Sequence, residues 1–170
     1  PGNPNTIFWT ENHQLSYHTA ELLAGQIFKN DTFILSGING TEHIKRAEYK
    51  INRWLDWRGR YGISEWHSST YLDLNIMSLT NLVEFAENST IATKAAMILD
   101  LICFDFANNY FKQEYGVSQG RVYGRNKIGY DSKHLSDQDE IAESAWLLLG
   151  LGAKREASTS GERGATSIAT

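Results

Sequence analysis

Most residues that could do chemistry stand in a few short segments. Glu11-Asn12-His13 precedes an apolar repeat of helical spacing, so a carboxylate, an amide and an imidazole meet at a helix N-terminus, whose positive end favours an anion. Plain capping competes with that role, with Asn12 satisfying backbone N–H groups and His13 lying at the surface. Glu65 and His67 flank Trp66, which sets an acid or base beside an aromatic platform for a sugar ring. The competing role for Trp66 is to plug one end of the core. Arg121, Tyr123 and Arg125 share a glycine-rich stretch. A guanidinium can hold a carboxylate through two parallel hydrogen bonds, and a tyrosine can pass a proton. In the structural alternative these arginines pair with the acidic start of the last helix.

Other chemistries are poorly served. The run from Gly120 to Arg125 is neither G-x-x-x-x-G-K-[ST] nor G-x-G-x-x-G, and no strand pattern precedes it, so it does not read as a phosphate cradle. His13, His18, His43, His67 and His134 show no dense metal-ligand spacing, and neither a metal nor a cofactor is expected. No G-x-S-x-G elbow is present, so a serine nucleophile is not expected. The single cysteine, Cys103, lies in the most apolar stretch and reads as a buried, inert thiol. A net charge of -4 supplies no basic face for nucleic acid. No run reaches the roughly 18 apolar residues of a membrane span, and no charged-then-apolar leader opens the chain. Pro1 in place of Met is expected to reflect processing or a longer parent chain, so a leader or further domains would lie outside this sequence.

Helices must position these groups. The chain has 170 residues, 41% hydrophobic and 12% aromatic, enough for one domain with a real core. Leu15, Leu22, Leu23 and Ile27 predict a helix from Asn12 to Phe28, with Thr10 and Asn12 as caps. Lys29 to Gly40 reads as a loop whose Phe33, Ile34 and Leu35 tuck onto the core. Thr41 is expected to cap the next helix, in which Ile44, Ala47, Ile51, Trp54, Leu55 and Arg58 mark one face and Lys45, Arg46, Glu48 and Lys50 a solvated one. Gly59 and Gly62 end it. A third helix runs from Leu72 to Ala86. The short link Glu87-Asn88-Ser89-Thr90 makes it an antiparallel neighbour of a fourth, Ile91 to Tyr115, apolar nearly all round from Ala95 to Ala107 and therefore covered on several sides. Gly116 to Ser136 is a long loop of the kind that is often functional. Ser136, Asp137, Asp139 and Glu140 open a fifth helix. The helical domain is assigned to residues 1–156, and 157–170 to a flexible tail or linker.

If consecutive helices alternate in direction, the start of the first helix, the second-to-third link and the fourth-to-fifth link share one pole. That pole receives Glu11, Asn12, His13, Arg60, Tyr61, Glu65, Trp66, His67, Tyr71, Arg121, Tyr123 and Arg125. The opposite pole receives the N-x-Ser/Thr sequences at Asn30, Asn39 and Asn88, candidates for glycosylation if the chain is secreted or at the cell surface.

Helical hairpins, with Asn12-His13 opening one helix and Tyr and Arg on later loops of the same pole, resemble the (α/α) toroid carbohydrate-active enzymes, and among them the polysaccharide lyases. The resemblance spans about Trp9 to Leu151 and is an analogy of fold and site. It implies an all-α, toroid-like partial array of about five antiparallel helices, with a polysaccharide or oligosaccharide as partner and further chain or subunits completing the cleft. It also implies that Asn12 and an arginine, Arg121 or Arg125, neutralise a substrate uronate while His13 and a tyrosine, Tyr71 or Tyr123, act as base and acid in β-elimination. Trp66 and His67 would contact the sugar. Two alternatives stand beside it. One is an inverting glycoside hydrolase using Glu11 and Glu65. The other is a non-catalytic helical binding or assembly module with Trp54, Trp57 and Trp66 as contact anchors.

Overall fold

The computed structural model describes residues 10–111, 114–122 and 140–150. These residues form an all-α fold of five helices in antiparallel contact. They are α1 (Glu11–Ile27), α2 (Gly40–Tyr61), α3 (Leu72–Phe85), α4 (Ser89–Asn109) and α5 (Glu140–Leu149). A hairpin of β1 (Tyr110–Phe111) and β2 (Glu114–Tyr115) follows α4, with Tyr110 opposite Tyr115 and Phe111 opposite Glu114. The chain divides into two compact units, Pro1–Ile63 with Ser78–Ile98, and Ser64–Met77 with Leu99–Thr170. The expectations for Tyr123, Arg125, Ser136, Asp137, Asp139 and the 157–170 tail lie outside the described residues. Among the described residues no helix is long and apolar enough to cross a membrane.

In the first unit α1 packs on α2. Leu15 and Leu22 of α1 and Ala47, Ile51, Trp54 and Leu55 of α2 are buried, while Lys45, Arg46 and Tyr49 keep the opposite face of α2 in solvent. The helices approach closely where both lack a side chain. A Cβ on Gly40 would stand 2.2 Å from the Phe28 carbonyl oxygen and 2.7 Å from that of Gly25. Trp54 is enclosed, its indole N–H donating to the Glu11 carbonyl at 3.0 Å, which corrects its assignment as a surface anchor.

Two loop expectations are also corrected. Asn39 rather than Thr41 caps α2: its side-chain oxygen accepts from the Glu42 N–H at 2.9 Å, while the Thr41 hydroxyl donates back to the Lys29 carbonyl at 3.3 Å. Ile34 and Leu35 are 97% and 86% exposed, and of the three apolar loop residues only Phe33 is half-buried, its ring centred 4.5 Å from that of His43. The cause is a tight turn. Gly37 N–H donates to the Phe33 carbonyl at 2.8 Å, and Phe33 N–H donates to that of Ile38 at 3.0 Å, so the intervening residues form the exposed tip.

In the second unit Leu72, Ile76, Ile102, Phe106, Ile141 and Ala145 are buried. Helix α4 ends at Asn109, six residues before the expected Tyr115. The Asn108 and Asn109 side-chain amides donate back to the Phe104 and Asp105 carbonyls at 2.7 and 2.9 Å in the last turn, and the next residues, Tyr110 and Phe111, pair as a strand instead. Tyr115 then folds back, stacked on Tyr110 and edge-on to Phe106. Met97, Leu101 and Phe104 are exposed, so one face of α4 is uncovered, which corrects the expectation of a helix enclosed on several sides.

Candidate functional site

The start of α1 is an enclosed polar knot within the first unit. Only 1% of the Glu11 side chain is exposed, and its Oε2 lies 3.0 Å from Arg58 Nε, with the Arg58 guanidinium over the Trp54 ring at 5.5 Å. Asn12 is buried. Its Oδ1 accepts from the His13 backbone N–H at 2.8 Å and from the Thr10 hydroxyl at 2.6 Å. The Thr10 hydroxyl also meets His13 Nδ1, and the His13 ring is half-buried, stacked on Tyr17. A carboxylate paired with Arg58 and an amide turned into its own helix start are framework groups. This corrects the expectation that Glu11 and Asn12 face substrate.

The link between α2 and α3 meets the segment after β2 inside the second unit. Gly120 N–H donates to the Trp66 carbonyl at 2.9 Å, and the Ser68 hydroxyl donates to the Arg121 carbonyl at 2.7 Å. Gln119 Oε1 accepts from both the backbone and the hydroxyl of Ser69 at 3.2 and 3.0 Å. A side chain at Gly120 would force the Trp66 ring to shift, because its Cβ would lie 2.9 Å from that ring. Thus the glycine of the Gly120 to Arg125 run seats an indole. The seam aims Arg121 at Glu65, Nη1 to Oε1 at 2.7 Å, and lays its guanidinium 3.8 Å from the centre of the Tyr71 ring. The arginine therefore pairs with the α2–α3 link. Trp66 keeps 51% of its surface exposed, so it does not plug the core.

His67 stands next to this group but is committed elsewhere. Its Nε2 meets Asp105 Oδ2 at 2.8 Å and its Nδ1 meets the Ser118 carbonyl at 3.3 Å. Asp105 also accepts from Asn109 at 3.0 Å and from the Tyr115 hydroxyl at 3.3 Å. With both ring nitrogens facing oxygen atoms, His67 fastens the link to α4 and to the segment after β2, a role that the expectation of a sugar contact did not include. The fastening holds His67 at φ 53, in the left-handed region. Deeper in the unit, Ser144 donates to the buried Asp73 carboxylate, joining α5 to α3.

Sequence reasoning missed a further polar group, in the first unit. His43 Nδ1 lies 2.8 Å from Glu21 Oε1, and His43 Nε2 lies 2.8 Å from Ser36 Oγ. Arg46 Nε reaches the same Glu21 oxygen at 2.6 Å. Burial alone would raise the Glu21 carboxyl, but the hydrogen bonds from His43 and Arg46, with the charges of Arg46 and Lys50, outweigh it and hold the carboxyl below its ordinary range. Burial, with Lys50 next in weight, pushes the neighbouring His18 imidazole down. No local motif joins these residues; the pairing of α1 with α2 does.

Of the candidate glycosylation positions, Asn30 and Asn39 are exposed, while Asn88 is half-buried and its amide nitrogen, the atom that would carry a glycan, donates to Glu48 at 3.1 Å. Among the described residues no three His, Cys, Asp or Glu side chains gather as a metal-holding group. Compared with known proteins, the chain matches no family model, no curated protein and no solved structure.

Proposed function

We propose that Glu65, Trp66, Tyr71 and Arg121 recognise an acidic saccharide, with β-elimination at a uronate as the reaction class. The observation that supports this reading is the Arg121 guanidinium, seated 3.8 Å over Tyr71 and 2.7 Å from Glu65 beside a half-exposed indole. A uronate carboxylate has the same planar pair of oxygens as Glu65 and competes for the same guanidinium. The sugar ring lies on Trp66. With its charge neutralised by Arg121, the uronate becomes a stronger carbon acid at C5. The displaced Glu65 carboxylate takes that proton, the bond from C4 to the leaving oxygen breaks, and the Tyr71 hydroxyl protonates the leaving oxygen. Further chain or subunits would complete the cleft.

The test is a panel of uronate polysaccharides, followed by the ultraviolet absorbance of a new unsaturated sugar end. A signal lost in Arg121→Ala and only partly kept in Arg121→Lys supports the reading, since a lysine keeps the charge without the fork. A flat trace together with saccharide binding that Arg121→Ala and Trp66→Ala leave unchanged sinks it. The hydrolase alternative is disfavoured by the enclosure of Glu11. A binding or assembly module keeps one specific support, the exposed Trp57 and Tyr61 rings 4.6 Å apart on α2. In that reading sedimentation finds a concentration-dependent mass that Trp57→Ser abolishes.

A further inference from the structure

Ser36, His43 and Glu21 stand in the order and at the distances of a nucleophile, its base and the base's orienter. The Glu21 carboxylate, held ionised, can only accept, so it fixes the His43 proton on Nδ1 at 2.8 Å. That leaves Nε2 as the acceptor for the Ser36 hydroxyl, also at 2.8 Å. His43 is buried, whereas Ser36 is exposed at the tip of the turn that Gly37 closes with φ 70. The base is thus shielded and the hydroxyl is reachable. Among the described residues the backbone N–H groups of Leu35 and Ser36 donate to no protein acceptor. Ile34 and Leu35, the two residues before Ser36 in the chain, are exposed, as is Phe28, which stands edge-on to Phe33, so the same loop carries exposed apolar surface.

We infer that Ser36, His43 and Glu21 form a hydrolytic relay that cleaves esters with an apolar acyl group. Ser36 Oγ bonds to the acyl carbon while its proton passes to His43 Nε2, and the unengaged N–H groups at Leu35 and Ser36 receive the oxyanion. As the intermediate collapses, the bond to the alcohol oxygen breaks and His43 returns the proton to that oxygen. Water then attacks the acyl-Ser36, giving a proton to Nε2, and His43 hands it back to Ser36 as the carboxylic acid departs. Ester and water become acid and alcohol. Glu21 touches no reacting atom and acts as a positioning residue. This relay does not depend on the Arg121 site.

The test uses the whole chain, an alkyl fluorophosphonate probe with the adduct mapped by peptide mass spectrometry, and p-nitrophenyl butyrate hydrolysis in parallel. The expected result is an adduct on Ser36 that Ser36→Ala removes, with hydrolysis falling at least about a hundredfold in Ser36→Ala and Glu21→Gln at unchanged helicity. Absence of an adduct on Ser36, or ester turnover equal in the parent and Ser36→Ala, overturns the relay. A purely structural hydrogen-bond chain would lower the melting temperature of Ser36→Ala with no labelling to lose. Because Ser36 is exposed, its variant keeps the test decisive even where His43→Gln fails to fold.

Discussion

Replacing Gly40 by Ala adds a methyl group where three backbone atoms already stand. They are the Phe28 oxygen at 2.2 Å, the Gly25 oxygen at 2.7 Å and the Lys29 Cα at 2.7 Å. None can rotate away, so the helices must separate locally. Overpacking of this kind costs typically about 1–3 kcal/mol, and contacts with rigid backbone belong at the upper end, about 3 kcal/mol. Removing a glycine from the unfolded chain returns about 0.5–1 kcal/mol. The net loss of about 2 kcal/mol corresponds to a fall in Tm of about 4–8 °C for a chain of this size. Thermal unfolding followed by circular dichroism reads it directly. Gly59 provides a control of opposite sign: among the described residues its added Cβ would meet only Ile98 Cδ1, at an ordinary 3.7 Å. Gly59→Ala in the last turns of α2 should therefore raise stability by about 0.5–1 kcal/mol. A Gly40→Ala protein melting at or above the parent temperature would refute the close approach of α1 and α2, and with it the placement of Glu21 against His43.

The remaining expectations concern single buried groups. Asn75 is fully buried and, among the described residues, neither atom of its amide finds a hydrogen-bond partner, so Asn75→Leu should stabilise by about 1–3 kcal/mol; a lower melting temperature would mean that the amide has a partner in solution. Acid should destabilise the fold in two stages. His18 is lowered, so as pH falls below the ordinary imidazole range the unfolded chain takes the proton first and stability declines. Glu21 is lowered from the ordinary carboxylate range, so its contribution is present above that range and is lost as pH falls through its folded value. Melts across pH should show the upper stage flattened in His18→Gln and the lower in Glu21→Gln, and unaltered curves would refute both assignments. Burial and the neighbouring Asp100 push the half-buried Cys103 thiol up, so iodoacetamide at neutral pH should label it more slowly than a small free thiol, with denaturant removing the difference. Equal rates would contradict its enclosure.

Local chemistry was legible where it repeats, and opaque where partners come from far along the chain. The buried face of α2 could be read from Ala47, Ile51, Trp54 and Leu55, because helical spacing alone selects them. The choice between Asn39 and Thr41 as cap could not, since both are good capping types and only the turn at Phe33 to Gly37 decides which has extended backbone. Glu65 and Arg121 were each visible as chemistry, yet their pairing spans 56 positions and depends on Gly120 admitting the Trp66 ring. Glu11 looked solvent-facing because a carboxylate at a helix start usually is. Its enclosure follows from Arg58 and Trp54, both supplied by α2. The α4 terminus was misplaced because Tyr110 and Phe111 continue an apolar run, whereas they pair with Glu114 and Tyr115 in a short antiparallel hairpin that the run does not announce.

His67 and His43 each contact a carboxylate, and the opposite nitrogen separates their roles. A histidine turns over as a base only if one lone pair meets a proton that can leave and return. In His67 the other nitrogen faces the Ser118 carbonyl, which has no proton to give, so the ring has nothing to relay and is a fastener. In His43 the other nitrogen faces the Ser36 hydroxyl, which can give its proton and take it back. Exposure follows the same division. The Asp105 carboxylate gathers His67, Asn109 and Tyr115 into a joint that holds the α2–α3 link, whereas the chain from Glu21 through His43 ends on a hydroxyl open to solvent. Loss of His67 should therefore appear first as lost order in the Trp66 and Arg121 seam. Loss of His43 should appear as lost reactivity at Ser36.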